Sequence, residues 1–307
     1  MTSIPTVPTW AANKHYYWHS NPESRPICQV YFDKCFIRPK KDHAWEIIKS
    51  NNKSDAAALA YETINFYRDD NANMMAGRSV QEMCNKLLLE NESEQSVISF
   101  GSDFFENYHP RNWDNGKDID KHQINIAEFV DVYKSASNGI KEAANQLRIN
   151  RLEGEENLMF KMPGLNLPYN GIPDFNGSIE LKTKWSSISS KAKSGKTTAS
   201  LPSKPLYSHV CQVAGYWFEK KRPQAIVYAN KNDFRIFTDQ NCELLTEEAL
   251  NGVIRYMTGQ LLIRENQLKA AKDVQSLLRI ITPQFNHMWA WDYQPEVLRE
   301  AKQLWGF

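Results

Sequence analysis

Cysteine is scarce in this chain and poorly spaced for chemistry. The five cysteines (Cys28, Cys35, Cys84, Cys211, Cys242) are odd in number and contain no CxxC pair. That argues against a zinc ribbon or an iron–sulfur cluster, and for a reduced, cytoplasmic setting. Cys84 and Cys211 fall within helical patterns and read as small core residues. Net charge is nearly absent as well: 37 basic residues stand against 36 acidic ones, a formal +1. Any polyanion must then be held by a local basic patch, because no global field exists to hold it. No run approaches the roughly 18 apolar residues of a membrane span, so no membrane partner is expected. The opening MTSIPTVPTWAANKHYYWHS lacks a basic start followed by an apolar stretch, so no signal peptide is expected either. Internal repeats are not found.

The 307 residues, 41% hydrophobic and 24% charged, suffice for a sizeable core with helical additions. Residues 1–55 are rich in Pro, Trp and Tyr without sustained period and read as an irregular arm packed through its aromatics. Helical periodicity begins near residue 56. SVQEMCNKLLLE places Val80, Met83, Cys84, Leu87 and Leu88 on one stripe. DNGKDIDKHQ reads as a loop. INIAEFVDVYKSASNGIKEAANQLRI reads as a helix, with a break possible at Asn138-Gly139. After Gly154, ENLMFKM, LPYNGIPDF and SIELKTKW read as three strands. PLYSHVCQVAGYWFEK returns to helical spacing through Val210, Val213, Ala214 and Trp217. QAIVYAN and FRIFT add two strands. From Thr246 a long helical region carries Leu250, Val253, Ile254, Met257 and Leu261, with Glu247 and Glu248 in the dipole-favoured first turn. It must break by Pro283, and the tail MWAWDYQPEVLREAKQLWGF reads as one more short helix. The sum is an α/β or α+β fold: a mixed sheet flanked by helices, with helical extensions at both ends. The expected organisation is an arm over 1–55, a core over 56–240 and a C-terminal helical extension over 241–307.

Three polar residues interrupt the strands around GIPDFNGSIELKTKW. Glu180 and Lys182 are two apart and so share one face. Asp174 joins them only if the turn has the right length. A two-residue Asn176-Gly177 turn would oppose Asp174 to Ile179 and turn it away. A three-residue loop, Phe175-Asn176-Gly177, would oppose Asp174 to Ser178 and cluster all three, with Gly177 at the left-handed position such a loop prefers. The three-residue form is the expectation. Two clustered carboxylates repel unless a cation sits between them. Hard oxygen donors on strands suit Mg²⁺ or Mn²⁺, with the Leu181 backbone carbonyl as a further ligand. Lys182 would then orient the attacking water, assist its deprotonation or meet charge on a phosphate. The bland alternative is a surface hairpin whose ion pair is worth ~0–1 kcal/mol.

Pro173-Asp174 and Glu180-Leu181-Lys182 resemble the PD-(D/E)xK nuclease superfamily. Gln212 and Tyr216, four apart on one helix face, are similar to the QxxxY motif of its RecB-type branch. That branch includes lambda-type phage exonucleases and the mitochondrial genome maintenance exonuclease. AGRSVQEMC resembles the Gly-x-x-x-His helix of the same branch, with Gly77 in place but Gln81 where a His is common. Gln81 can accept a hydrogen bond or coordinate through its carbonyl, but it is no substitute for imidazole as a metal ligand. Glu155 or Glu156 could supply another carboxylate.

The resemblance spans roughly residues 75–240. It implies a restriction-endonuclease-like core and a Mg²⁺- or Mn²⁺-dependent DNA exonuclease of phage or bacterial recombination, repair or DNA degradation, working in the (host) cytoplasm. Asp174, Glu180, Lys182, Gln212 and Tyr216 would be its catalytic set. DNA would be its partner, with a single-strand annealing or binding protein as a further one. The rivals are an inactive nucleic-acid-binding protein on the same fold and a restriction-type endonuclease. Between the ExK strand and the QxxxY helix, a Ser/Thr-rich stretch carries Lys191, Lys193, Lys196 and Lys204 without an acid. It reads either as a solvated linker or as a basic loop that holds backbone phosphates. Lys184 extends the Lys182 face toward phosphate. Trp185, Tyr207 and Trp217 can stack on bases but read first as packing residues. His209 lies close enough in sequence to approach the site.

Overall fold

The computed structural model describes residues 17–18, 71–108, 117–188 and 196–281, with a few isolated positions beyond 284. The helical onset at 56, Lys191 and Lys193 lie outside the described residues. So do nearly all of the N-terminal arm and of the tail. Tyr17–Trp18 forms a two-residue strand, β1. The chain divides into two compact units: residues 70–160 with 169–256, and residues 1–69 with 161–168 and 257–307.

In the larger unit, helix α1 (Ala72–Leu88) starts where the Asn71 side chain accepts Met74 N–H at 3.1 Å, a side-chain cap for one unpaired helical donor. Val80, Met83 and Cys84 are fully buried, while Leu87 and Leu88 pack at the margin of the core. Helix α2 (Glu94–Asn107), to which the sequence reading assigned nothing, is capped by Ser93 and carries Glu94 in its first turn. Helix α3 (Lys117–Gln146) corrects two expectations. DNGKDIDKHQ is helical from Lys117 onward, and no break occurs at Asn138-Gly139. Packing explains Gly139: a Cβ there would lie 2.6 Å from Val227 Cγ1. The glycine serves close helix–sheet approach, and the continuous ladder outweighs its weak helix propensity.

Strands β2 (Leu158–Phe160) and β3 (Tyr169–Gly171) pair antiparallel. β3 ends well short of Asp174, so LPYNGIPDF is not one continuous strand. Strand β4 (Ile179–Thr183) runs parallel to β7 (Ala225–Ala229), with Glu180 beside Ile226 and Lys182 beside Tyr228. β8 (Phe234–Phe237) pairs antiparallel to β7. The result is a mixed sheet in the order β4-β7-β8, and the α/β class stands. Every residue of β7 is buried, as expected of a central strand covered on both faces. Ile179 and Leu181 of β4 join Val80, Val132, Tyr133 and Ile140 in the main core cluster. A small antiparallel pair, β5 (Ser187–Ile188) with β6 (Lys196–Thr197), follows. Helix α4 (Tyr207–Lys220) buries Val210, Val213, Ala214 and Trp217, as its spacing predicts. Helix α5 (Glu247–Ala270) buries the anticipated stripe from Leu250 to Leu261. Helix α6 (Val274–Ile280), started by an Asp273 capping box, ends before Pro283. No described helix is long and apolar enough to cross a membrane.

Candidate active site

The hairpin that carries the site turns one residue later than expected. Phe175 bridges Ile179, and Phe175 O accepts from both Ser178 N (2.9 Å) and Ile179 N (3.0 Å). The loop is therefore Asn176-Gly177-Ser178, and residue 174 falls opposite residue 180, where the sequence reading had Ser178. Asn176 and Gly177 both have positive φ, +52° and +65°, the signature of a type I′ turn and a well-known Asn-Gly preference. Both loops hold three residues, so the parity is unchanged and Asp174 still lies on the side of Glu180. Asn176 does more than turn. Its N–H donates to Glu153 O, its Oδ1 accepts from Glu153 N and its Nδ2 donates to Arg151 O.

Asp174 and Glu180 are 8% and 2% exposed. Asp174 Oδ2 accepts the Leu181 N–H at 2.7 Å. The parallel ladder explains that open donor. Ala225 N–Ser178 O and Lys184 N–Ala229 O bonds fix the even residues of β4 toward β7. Alternation then turns the backbone groups of Leu181, carbonyl included, to the opposite edge, where Asp174 waits. Burial, then the neighbouring Glu180, push the Asp174 carboxyl well above its usual range, against the pull of Lys182. Burial likewise raises Glu180, opposed by Lys182, Gln212 and the Tyr216 hydroxyl.

On the sheet face toward α4 the polar groups close into a ring. Lys182 Nζ donates to Glu180 Oε1 at 2.5 Å and to Gln212 Oε1 at 2.9 Å. Gln212 Nε2 donates to Glu180 Oε1 at 2.6 Å and to the Tyr216 hydroxyl at 2.9 Å. The Tyr216 proton goes to the Ile172 carbonyl, which fixes the amide orientation. Gln212 and Tyr216 are thus buried parts of the network. Glu180 Oε2, although buried, has no hydrogen-bond partner among the described residues. Gly215 brings α4 this close: a Cβ there would meet the Tyr169 ring at 2.7 Å.

Gln81 projects from α1 onto the same edge. Its Nε2 donates to Asp174 Oδ1 at 2.8 Å and to Glu155 Oε1 at 2.7 Å. Two carboxylate acceptors demand the amide nitrogen, so Gln81 presents N–H here, not the carbonyl through which it could accept a hydrogen bond or coordinate. One turn earlier, Gly77 keeps the helix close: an added Cβ would sit 3.1 Å from Thr183 Oγ1. Glu156 does not join the cluster. It pairs with Lys220 at 2.5 Å, and Glu155 is the acid that reaches Asp174 through Gln81.

Of the basic residues, Lys204 is exposed and Lys196 lies in β6. Lys184 is half-buried beside Tyr228. Trp185 and Trp217 are buried, whereas Tyr207 is exposed and meets Tyr256 edge-on. His209 Nδ1 lies 2.6 Å from the Tyr228 hydroxyl. Among the described residues no three His, Cys, Asp or Glu side chains converge as metal ligands. The donors that do fit a hard divalent ion are Asp174, the unpartnered Glu180 Oε2 and the Leu181 carbonyl, all oxygen. Sequence reasoning missed Asn176 as a strap and Tyr169 and Tyr228 as supports. Only the Asn-Gly pair carried a local signal.

Comparison with protein-family models, with curated proteins and with solved structures returns no match for this chain.

Proposed function

We propose that the chain is a divalent-metal-dependent nuclease of the PD-(D/E)xK type, built on a restriction-endonuclease-like core. In this reading it acts as a DNA exonuclease in recombination, repair or DNA degradation. One observation carries the reading: the two oxygens of Glu180 are treated unequally. Oε1 takes hydrogen bonds from Lys182 and Gln212, while buried Oε2 takes none. A buried carboxylate oxygen left bare costs about 1–3 kcal/mol or more, and a cation shared with Asp174 would relieve that cost. The chemistry a bound Mg²⁺ or Mn²⁺ supplies is charge neutralisation at the phosphate and acidification of water.

The chain's own groups do the positioning. Gln212 and Glu180 hold the Lys182 ammonium in place from two sides, so it meets the phosphate with its geometry already fixed. Tyr216 locks Gln212, and the Leu181 N–H fixes the Asp174 carboxylate. Lys182 stabilises the charge that develops on phosphorus oxygens as water adds and the leaving oxygen departs.

Gln81 favours a second reading, a nucleic-acid-binding protein without turnover. Its amide satisfies Asp174 and Glu155 together with no cation. One assay separates the two. End-labelled single- and double-stranded DNA is incubated with Mg²⁺ or Mn²⁺ and wild-type, Lys182→Ala or Asp174→Asn protein. Shortening from an end, lost in both variants, is expected. Discrete internal fragments would mean an endonuclease, and binding without cleavage would sink the nuclease reading.

A further inference from the structure

The face that carries Glu180 and Lys182 continues past the end of β4. Lys184 N still donates to Ala229 O at 2.8 Å, so strand alternation extends one residue beyond Thr183. Lys184 therefore leaves the sheet on the Lys182 side, two residues and roughly 6.6 Å farther along. That step is comparable to the spacing of neighbouring phosphates on a polynucleotide strand. Lys182, Lys220 and Lys231 each lie against a carboxylate. Lys184, although half-buried, pairs with none among the described residues. Its ammonium stands 5.7 Å from the centre of the Tyr228 ring.

Tyr228 gathers a second donor to the same place. Its hydroxyl accepts the Leu206 N–H at 3.1 Å and stands 2.6 Å from His209 Nδ1. With the phenol proton given to Nδ1, the imidazole carries its own proton on Nε2 and offers it outward. Burial, followed by the charges of Lys182 and Lys184, pushes the His209 pKa down to about 3, so it is a neutral donor near pH 7. A half-buried ammonium with no carboxylate partner among the described residues and an imidazole thus both lie against one phenol ring, at 5.7 and 5.6 Å from its centre. Such a pair lacks only an anion.

We propose that Lys184 Nζ and His209 Nε2–H form a second phosphate subsite, which holds the phosphodiester next to the one aligned with Lys182. The inference rests on the nuclease reading for the position of that first phosphate. It assigns the ligand class: a strand with at least two consecutive charged phosphates, as opposed to a lone phosphate ester.

The test reads binding and needs no turnover. A short fluorescent thymidine oligonucleotide is titrated by anisotropy in chelator, at several salt concentrations. Lys184→Ala is expected to weaken binding about tenfold and to reduce the slope of log K against log salt by about one. Lys184→Met, which keeps the buried stem, must do the same and guards against a folding defect. His209→Phe is expected to weaken binding about threefold with the slope unchanged, since the lost donor is uncharged. A probe with alternate phosphates replaced by neutral methylphosphonates should bind wild type and Lys184→Met equally. The inference is overturned if Lys184→Met binds the all-phosphate probe as wild type does. It is equally overturned if wild type binds no oligonucleotide, or if inorganic phosphate alone shows the same loss on mutation. Failure of the nuclease reading looks different: the strand is bound through Lys184 but never cut when Mg²⁺ is added.

Discussion

Glu265 and Glu180 are both almost wholly buried, at 0% and 2% exposure, one in each compact unit. Around Glu265 every oxygen is used. Oε1 accepts Asn166 N at 2.7 Å and Leu167 N at 2.8 Å, Oε2 accepts Asn166 Nδ2 at 2.9 Å, and Lys269 stands 3.8 Å off one turn away. Such a carboxylate holds the 161–168 segment in place and leaves neither oxygen bare. Around Glu180 one oxygen is crowded with donors and the other is bare, with Asp174 as a second acid nearby. Burial alone therefore does not distinguish a structural acid from a chemical one. What separates these two glutamates is a buried oxygen without a donor, at Glu180 and not at Glu265.

Mutation should split the two residues cleanly. Glu180→Gln is expected to lower the cleavage rate by ~10²–10³-fold, as removal of a transition-state stabiliser does, while the urea midpoint stays level or rises. Gln keeps the shape and removes a charge that burial disfavours. Glu265→Ala should do the reverse. It strands two backbone N–H groups and an amide, at a cost of about 3 kcal/mol, with cleavage per folded molecule unaltered. A Glu180→Gln protein that unfolds like Glu265→Ala would erase the distinction.

Divalent ions offer a gentler probe. Excess Mg²⁺ or Mn²⁺ should stabilise wild type by about 2.7 kcal/mol at one hundred times its dissociation constant. It should do as much for Glu265→Ala and nothing for Asp174→Asn, as read by thermal melting.

The smallest effect concerns a third titratable group, the half-buried His209. As pH falls below 6.5, unfolded chains protonate at His209, while the folded protein refuses that proton until about pH 3. The folded pKa is depressed, so the unfolded state binds more protons across this window and stability falls with pH. The loss between pH 6.5 and about pH 5 is about 2 kcal/mol. His209→Phe should flatten that part of the urea-midpoint profile.

Much of this site was legible because it depends on parity. Glu180 and Lys182 share a face by strand alternation alone, and Gln212 meets Tyr216 by helical repeat. Asp174 survived a wrong loop assignment because a shift from 175–177 to 176–178 keeps the same three residues of slack. What stayed hidden had no period to betray it. Glu155 and Gln81 are 74 residues apart, and which of two adjacent glutamates faces inward depends on Lys220, from another helix. Gly139 misled because glycine within a helical pattern reads as weakness, whereas its purpose is contact with Val227. Of the fold, the α/β class and the buried stripes followed from spacing. The parallel pairing of β4 with β7 is tertiary and left no local trace.

Asn176 links the bend to the lead-in of Glu155 through three hydrogen bonds, to Arg151 and Glu153. The consequence is mechanical: bend and lead-in behave as one clasp, so the site cannot open leaf by leaf. In hydrogen exchange the amides of Glu153 and Asn176 should surrender protection together, in a single cooperative event.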